Sequence, residues 1–417
     1  MSEWRWLVSQ FGARQHYAVP RAFQKRNHLR YFFTEAWCRW GASRLAAGPS
    51  SLRSFARRHH DELPSDKVIS FTLAELARQF RRALAPRHRE SRALYQEFLA
   101  MGRGFDQRVC RRIQRMPLDP TKDLFFGFEN GSLATLRMLQ GHGVVTLLDQ
   151  MDPGKFEEEL VREEASRWPG WQPLESGAPD EYHERIHEEW EAARVILVNS
   201  EWTKQGIVAH GANPDKIIVV PMAYEGSRVT TPKSDPKDRP LTVLWLGHVN
   251  LRKGIPYLLE AARKLSGMPI EFLVAGRIWI AEEKIRSAPS NVRFLGRVTR
   301  DRVAELYKRA DLFVLPTISD GFAITQIEAM AHGLPVVATP NCGEVVTDGQ
   351  DGRLVASRDA DGLAAALAAF VDDPSLLERM SRQALEKSSS FTLENYADRV
   401  ESAVARFRTA GKAPSFP

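Results

Sequence analysis

The segment between residues 311 and 339 constrains the fold of this 417-residue chain more than any other segment. An apolar run, Leu312–Leu315, predicts a buried parallel strand. A polar loop follows, leads into a predicted helix near Phe322, and is succeeded by a second apolar run at 335–338. Because the free N–H groups and the dipole of a helix N-terminus attract anions, this strand–loop–helix unit predicts a phosphate site.

Two acids in this segment suit a ligand that carries several hydroxyl groups. Asp320 lies in the loop, and Glu328 follows eight positions later on the predicted helix. One carboxylate can reach a ligand at the helix mouth, while the other can accept two hydrogen bonds from a diol. The spacing therefore predicts a nucleotide sugar as ligand. Taken alone, the segment would equally fit an ordinary βαβ unit whose acids are solvated.

A second strand–loop–helix unit lies upstream and favours the first interpretation. Residues 241–247 predict a buried strand, and the loop after it carries the adjacent cations Arg252 and Lys253 before a predicted helix. Cations at this place in a doubly wound sheet face the crevice in which a diphosphate binds. Most such dipeptides are solvated loop residues, but the strand–loop–helix context predicts a phosphate contact.

Together these motifs resemble the donor-binding signature of retaining glycosyltransferases of the family-4 type (glycosyl transferases group 1), which have the GT-B fold. The matching residues are Asp320, Gly321, Phe322, Ala323, Glu328 and the run AMAHGLPVV at 329–337, together with Gly247, Lys253 and Gly254. Three positions depart from the pattern: Asp320 replaces a Glu, Ala323 a Gly and His248 an Arg. The resemblance covers 241–390 and extends back to about residue 190, where Ser200 predicts a helix N-cap.

The resemblance implies a site for a nucleoside diphosphate sugar, with UDP as the first expectation. It implies that Glu328 binds the ribose, that Asp320 lies near the sugar hydroxyls, and that Arg252 and Lys253 bind the diphosphate. It also implies retention of anomeric configuration without a metal or another cofactor. The expected donor-binding residues are Gly12, Gly247, His248, Arg252, Lys253, Gly276, Arg297, Val298, Asp320, Gly321, Phe322, Ala323, Ile324 and Glu328. The expected catalytic residues are Asp320, Lys253, Arg252, Asp149 and His16.

The first half of the chain leaves the group that assists at the reacting centre open. Relatives often carry a His–Asp pair after the strand that corresponds to 144–149, whereas this sequence has Asp149 and no histidine there. Three alternatives stay open for the group that assists at the reacting centre: it is Asp149, it is His16 or His142, or no such group is needed. The loop from Gly12 to His16 is expected near the donor phosphate, and residues 35–120, which carry no recognised motif, are expected to hold the acceptor determinants.

Strands that alternate with helices predict an α/β protein with two Rossmann-like, doubly wound domains. We expect an acceptor-binding domain at 1–222, a linker at 223–240 and a nucleotide-sugar-binding domain at 241–388. Residues 389–417 are expected to form a helix that returns to the first domain and a frayed tail. The linker prediction depends on the polar, proline-containing run at 225–239.

Composition and charge limit the partners. No apolar run approaches ~18 residues, the N-terminus lacks an export signal, and three cysteines favour a reducing compartment, so a cytoplasmic protein is expected. Residues 1–120 hold 23 Lys and Arg against 10 Asp and Glu, and the helix-like stretch 72–101 carries arginines at 78, 81, 82, 87, 89 and 92. This excess predicts a phosphorylated acceptor or peripheral contact with an anionic membrane. Nucleic acid is not expected, because no recognised binding module accompanies the charge.

Two further interpretations remain open at this level. His183 and His187 have a spacing that can bind zinc, but no third ligand is evident, and a solvated surface helix is expected. The three departures from the signature are compatible with a nucleotide-sugar-binding protein of weak or no transferase activity, and the GT-B resemblance is also compatible with a nucleotide-sugar epimerase. Glycosyl transfer in glycan, glycolipid or polysaccharide biosynthesis is the leading hypothesis.

Overall fold

A computed structural model describes residues 4–38, 58–84, 91–173, 177–234 and 238–409, together with residues 55 and 236. Strands and helices alternate along these ranges, and the strands form two separate parallel sheets. The two predicted doubly wound sheets are therefore confirmed. None of the helices in these ranges is both long and apolar enough to cross a membrane.

The first sheet has the strand order β3-β2-β1-β4-β5-β6-β7 among the described residues. Its strands are β1 (Arg5–Ser9), β2 (Leu29–Thr34), β3 (Val68–Ser70), β4 (Asp123–Phe128), β5 (Val145–Gln150), β6 (Val195–Val198) and β7 (Ile217–Val219). The helices between them are α1 (Ala18–Lys25), α2 (Thr72–Leu84), α3 (Ser91–Ile113), α4 (Leu133–Gln140), α5 (Lys155–Arg167), α6 (Asp180–Ala192) and α7 (Glu201–Ala209). Successive strand residues enter different cores, since Trp6 and Val8 pack on one face and Leu7 on the other.

The second sheet has the order β10-β9-β8-β11-β12-β13 in the described ranges. Its strands are β8 (Leu241–Leu246), β9 (Ile270–Ala275), β10 (Val292–Gly296), β11 (Leu312–Leu315), β12 (Val336–Ala338) and β13 (Gly352–Leu354). Its helices are α8 (Ile255–Lys264), α9 (Glu282–Arg286), α10 (Arg300–Arg309), α11 (Ile324–Ala331), α12 (Ala360–Asp372) and α13 (Pro374–Ser388). Strand order reverses between β8 and β11, so ligands are expected at the carboxyl ends of these two strands.

The last helix, α14 (Leu393–Thr409), returns to the first domain as predicted. Its apolar face, which includes Tyr396 and Val400, belongs to the core beside Trp6. Glu401 accepts a hydrogen bond from Trp6 Nε1 at 3.1 Å, in agreement with that packing. The expected frayed tail begins at 409, and residues 410–417 lie outside the described residues. The proposed linker includes residues 235 and 237, which also lie outside them.

Helix α6, which carries His183 and His187, differs from the expected solvated helix. One of its faces is buried and includes two charged residues, Arg185 and Glu189. Glu189 accepts hydrogen bonds from the backbone N–H groups of Asn130 (2.6 Å) and Ser132 (3.0 Å), so it caps the N-terminus of α4. The other face, which carries Glu181, Glu184, His187 and Glu188, is exposed as expected. The sequence did not reveal the buried face, because the partners of Glu189 are backbone groups distant in sequence.

Candidate functional site

Glycines close the carboxyl ends of strands β8, β9 and β10 in the second domain. The N–H of Gly276 donates to the carbonyl of Gly296 at 2.8 Å, and the N–H of Gly247 donates to Ala275 at 3.0 Å. Gly276 has a φ of +143°, and a Cβ added there would overlap the carbonyl oxygen of Gly247. Only glycine therefore permits this close approach of two loops at the carboxyl edge of the sheet.

The predicted phosphate cations lie in a short 3₁₀ turn after β8. Asn250 caps this turn, because its Oδ1 accepts from the Lys253 N–H at 3.0 Å. The Arg252 carbonyl accepts from the Ile318 N–H at 2.8 Å, which fixes the turn against the loop after β11. Gly254 follows with a φ of +71°, and a Cβ there would overlap the Pro316 carbonyl. Steric overlap with Pro316 thus explains why a glycine follows Lys253.

The structure brings Arg252, Lys253 and Asp320 together. Lys253 Nζ forms an ion pair with Asp320 Oδ2, and Arg252 Nη1 lies 3.9 Å from Asp320 Oδ1. Burial acts to raise the pKa of Asp320, but the two cations and a hydrogen bond from the Phe322 N–H outweigh it, so the pKa is lowered. Asp320 is therefore a carboxylate held at the junction of two loops.

The start of α11 is fixed by the loop after β12. The Ala323 N–H donates to the Cys342 carbonyl at 3.0 Å, so this donor is already used. Phe322 is buried against Gly343, where a Cβ would overlap the Phe322 ring. Ile324 is the first helical residue, and Glu328 lies one turn further, where its Oε2 accepts from the Tyr307 hydroxyl at 2.9 Å.

Three predicted donor-site residues lie at the rim of this edge. The His248 side chain is exposed to solvent on one side. Partial desolvation, together with the positive charges of Arg252 and Lys253, lowers its pKa and favours the neutral imidazole. Arg297 is exposed and Val298 is half-buried in the turn between β10 and α10. The departure from Arg to His at position 248 therefore leaves Arg252 and Lys253 as the cations of the described loop after β8.

In the first domain, the loop after β1 faces the second domain. Gly12 has a φ of +86°, and its N–H donates to Glu35 Oε2 at 2.9 Å. Three consecutive residues, Gln15, His16 and Tyr17, have left-handed backbone angles. The exposed His16 ring places Nε2 3.5 Å from Arg300 Nη1 of the second domain. His16 is thus at the domain boundary.

Asp149 lies at the carboxyl end of β5 in a small cavity lined by both polar and apolar side chains. The cavity is lined by Gln10, Arg14, Gln15, Val19, Phe128, Asp149, Met151, Leu197, Asn199, Val220, Met222 and Tyr396. Burial and the nearby Glu129 raise the pKa of Asp149 well above its ordinary value, only partly offset by Arg14. His142 precedes β5 and so lies at the opposite edge of the parallel sheet. Of the alternatives, Asp149 and His16 remain beside the cleft.

The domain boundary surrounds Gly321. Ser200 is the predicted N-cap, since its Oγ accepts from the Thr203 N–H at 3.0 Å, and it donates to the Gly321 carbonyl at 2.5 Å. A Cβ at Gly321 would overlap the Met151 carbonyl of the first domain. The loop that carries Asp320 and Gly321 is therefore packed against the first domain.

The described part of the chain contains no group of three or more His, Cys, Asp or Glu side chains placed to hold a metal ion. His183 Nε2 instead lies 3.6 Å from Glu158, and the His187 ring packs against Trp190.

Residues 240–373 match the family model of glycosyl transferases group 1. This match spans nearly all of the second domain. D-inositol 3-phosphate glycosyltransferase of Rhodococcus erythropolis is 29% identical over 233 residues, which cover 50% of this chain and 52% of that protein. The chain spans about half the length of the curated relatives it matches.

Solved structures extend the likeness from the second domain to the fold of the whole chain. Sucrose-phosphate synthase from Thermosynechococcus elongatus has a TM-score of 0.63 at 17% identity and covers 98% of this chain and 100% of its own. Anabaena HepE in complex with UDP has a TM-score of 0.60 at 14% identity, with 96% and 99% covered. Both sheets are included in these matches, and the GT-B fold is confirmed.

The sequence did not identify several residues of the two domains that contact the candidate site residues. Glu157 on α5 contacts Arg252, and Tyr307 on α10 contacts Glu328. Arg14 and Glu129 form an ion pair of 2.7 Å beside Asp149. The position of Glu129 directly after the apolar strand β4 is a signal that could have identified it. Glu157 lies in a run of glutamates, and nothing in that run distinguishes it from its neighbours.

Proposed function

We propose that this protein is a retaining glycosyltransferase that moves a sugar from a nucleoside diphosphate sugar, with UDP as the first candidate base, to a hydroxyl group of an acceptor. The observation that carries the proposal is the convergence of Arg252, Lys253 and Asp320 in the loops after β8 and β11, with Glu328 on helix α11 that follows the second of these loops. The match of residues 240–373 to the family model of glycosyl transferases group 1 supports it. The relatives support a role in glycan, glycolipid or polysaccharide biosynthesis.

The proposed chemistry depends on fixed charges. Lys253 and Arg252 stabilise the negative charge that grows on the departing diphosphate, and this preorganised electrostatic contribution is expected to be the largest single one. Glu328 accepts hydrogen bonds from the ribose diol, and Asp320 from hydroxyls of the transferred sugar. The departing phosphate accepts the proton of the attacking hydroxyl on the same face of the sugar, so the anomeric configuration is retained without a covalent enzyme intermediate and without a metal.

The first domain supplies the acceptor side of the cleft in this proposal. Its edge presents Gly12, His16 and the cavity that holds Asp149. Because burial raises the pKa of Asp149, its carboxyl keeps its proton to a higher pH than an ordinary aspartate, and the protonated carboxyl can donate a hydrogen bond to an acceptor hydroxyl. Asp149 and His16 are therefore proposed to orient the acceptor, and closure of the domains around Gly321 to exclude water.

Peripheral contact with an anionic membrane is a further part of the proposal. Leu73 (84% exposed) and Leu76 (45%) on α2 and Leu94 (42%) on α3 are exposed apolar side chains in the arginine-rich stretch. Apolar side chains beside basic ones suit the boundary between headgroups and acyl chains. Of the six arginines in this stretch, Arg78 is paired with Glu75 at 2.6 Å, and the other five have side chains outside those that the structure describes.

Ligand-dependent thermal stability tests the donor assignment. The protein is titrated with UDP, GDP, ADP and their common sugar conjugates, and each stabilising ligand is repeated with Glu328→Ala. Glu305→Ala is the matched control, because Glu305 is an exposed acid of the same domain. Stabilisation by one nucleoside diphosphate that is lost in Glu328→Ala and kept in Glu305→Ala supports the proposal. If none stabilises the wild type, the donor assignment is wrong.

Product analysis then tests the reaction. The stabilising donor is incubated with a panel of sugar and lipid-linked acceptors, with and without EDTA, and products are read by mass spectrometry and by NMR of the new anomeric carbon. Transfer with retention, unchanged by EDTA, is expected. Conversion of the donor sugar without any acceptor would indicate an epimerase, and binding without turnover would indicate a binding protein. Either outcome contradicts the proposed transfer.

A further inference from the structure

The carboxylate proposed to bind ribose is held by a buried tyrosine. The hydroxyl of Tyr307 donates to Glu328 Oε2 at 2.9 Å. Tyr307 is 2% exposed and belongs to the core beneath the second sheet. A carboxylate at the end of a glutamate rotates over a broad range of angles unless a partner fixes it. Tyr307 therefore fixes the plane of a side chain that is itself only half-buried.

The tyrosine is fixed in turn by a histidine that follows the helix of Glu328. The rings of Tyr307 and His332 stack with centroids 4.9 Å apart and an interplanar angle of 14°. His332 Nδ1 lies 2.7 Å from the Glu328 carbonyl oxygen, so this nitrogen is the donor, and Nε2 is left to accept from Ser227 Oγ at 3.3 Å. One tautomer of His332 satisfies both contacts. Tyr307, which contacts Glu328, is thus held by a ring that is itself fixed by two hydrogen bonds.

Tyr307 also connects two parts of the proposed donor site. It lies on α10, the helix that follows the turn with Arg297 and Val298, two of the expected donor-binding residues. The same helix therefore connects this turn with the side chain that contacts the proposed ribose carboxylate. Burial and the adjacent Glu328 raise the pKa of Tyr307 well above its ordinary value, so the phenol keeps its proton and remains a donor.

We propose that Tyr307 is a positioning residue that aims the Glu328 carboxylate at the ribose diol and thereby gives the site its selectivity for ribonucleotides over 2′-deoxyribonucleotides. This inference rests on the proposed function. With one oxygen oriented by Tyr307, the carboxylate presents its remaining acceptor positions in a fixed direction. A diol can then make two hydrogen bonds at once, and a ligand that lacks the 2′-hydroxyl loses one of them.

The inference is tested by calorimetric titration of the wild type and of Tyr307→Phe with UDP and with 2′-deoxy-UDP. If GDP or ADP is the nucleotide that stabilises the protein, that nucleotide and its 2′-deoxy form are used instead. Phenylalanine keeps the ring and its stacking on His332 but removes the hydroxyl. The wild type is expected to prefer the ribonucleotide by about tenfold, the value of one hydrogen bond to a charged group. In Tyr307→Phe, ribonucleotide affinity falls, deoxyribonucleotide affinity changes little, and the preference shrinks to about twofold.

Tyr257→Phe is the matched control. Tyr257 is also a buried tyrosine of the second domain whose hydroxyl donates to a glutamate, Glu164 Oε2, at 2.9 Å. It should keep the wild-type ratio of the two affinities. An unchanged ratio in Tyr307→Phe, or an equal loss of both affinities, would show a merely structural role and overturn the inference. If the wild type binds no nucleoside diphosphate, the proposed function itself is wrong. If the wild type binds but Tyr307→Phe keeps the wild-type ratio of the two affinities, only this inference is wrong.

Discussion

Glu157 of the first domain lies across the domain boundary from Arg252, with 2.9 Å between Glu157 Oε1 and Arg252 Nη1. Its other oxygen, Oε2, accepts from Ser319 Oγ at 2.8 Å. One carboxylate on α5 therefore binds both a proposed diphosphate cation and the loop that carries Asp320. Ser319 also accepts a hydrogen bond from Trp202 Nε1 at 3.0 Å, so two helices of the first domain converge on this loop.

The rest of α5 strengthens this connection. Glu164 is fully buried and accepts from the Tyr257 hydroxyl at 2.9 Å, while Arg358 Nε lies 2.5 Å from its other oxygen. After the helix, the carbonyl of Trp171 accepts from the Ala281 N–H at 2.7 Å. Residues 163–172 thus pack on the second domain, although they belong by sequence to the proposed first one. Helix α5 is a connection between the domains in addition to α14.

Glu157→Gln is expected to loosen the contact between the domains. The substitution removes a charge-assisted contact that contributes about 1–2 kcal/mol, so the melting temperature falls and small-angle scattering reports a larger radius of gyration. Glu159→Gln is the control, because Glu159 lies on the same helix but pairs with His210 of the first domain at 3.3 Å. Identical scattering of the Glu157 variant and wild type would contradict this role.

Gly321→Ala is expected to block domain closure for a steric reason. A Cβ at this position would overlap the Met151 carbonyl, so the first domain must move away. We expect transferase activity to fall by at least about tenfold, since misplacement by 1 Å can cost that much or more, while nucleoside diphosphate still binds. Gly267→Ala, which has open space for its Cβ, should behave as wild type. Normal turnover in Gly321→Ala would show that the cleft tolerates a wider separation.

Lys253→Gln should remove a charge that stabilises the departing diphosphate. A loss of about 10²–10³ in kcat is expected from the removal of one such group. Lys264→Gln at the end of the adjacent helix α8 is the control, because Lys264 pairs with the exposed Asp361 at 2.7 Å, away from Asp320. Steady-state kinetics with saturating donor separate the two. Equal kcat values in both variants would remove Lys253 from the catalytic set.

Asp149→Asn should change how stability depends on pH. Burial and then Glu129 raise the folded-state pKa of Asp149, so its favourable contribution is present at low pH and is lost as pH rises from the unfolded pKa towards the folded one. In that window the free energy of unfolding of the wild type should fall by up to about 1.4 kcal/mol per pH unit relative to that of the asparagine variant, whose amide does not titrate. Between pH 5 and pH 8 the melting temperature of the wild type should therefore fall relative to that of the asparagine variant. Parallel curves would show that Asp149 titrates normally.

Membrane contact through the exposed leucines is tested with vesicles. Co-sedimentation with vesicles that contain anionic lipid is expected to exceed that with neutral vesicles and to fall with added salt. Replacing Leu73 and Leu76 together by Ser should reduce it, because less apolar surface enters the lipid boundary. Replacing the exposed Leu354 of the second domain by Ser is the control. Binding that does not depend on anionic lipid would contradict the proposed attachment.

The strands and loops that carry the proposed donor residues could be predicted from the sequence because their determinants are local. Asp320 and Glu328 belong to one strand–loop–helix unit, and Arg252 and Lys253 to another. The apolar runs that identify β8 and β11 are short and continuous, since both faces of a parallel sheet are buried. The return of α14 to the first domain was predicted from the family resemblance, and the packing of Tyr396 and Val400 confirms it.

The sequence by itself therefore determined the two doubly wound sheets and the loops that carry the proposed donor residues, because strand and helix periodicity and glycine turns depend on neighbours along the chain. Only the tertiary structure decided that Glu157 contacts Arg252, that Tyr307 holds Glu328 and that Glu189 is buried as a helix cap. Each of these contacts joins segments that are distant in sequence or lie on different elements. A carboxylate in a charged run has no local feature that reveals its partner, since the partner is fixed by how helices pack on the two sheets.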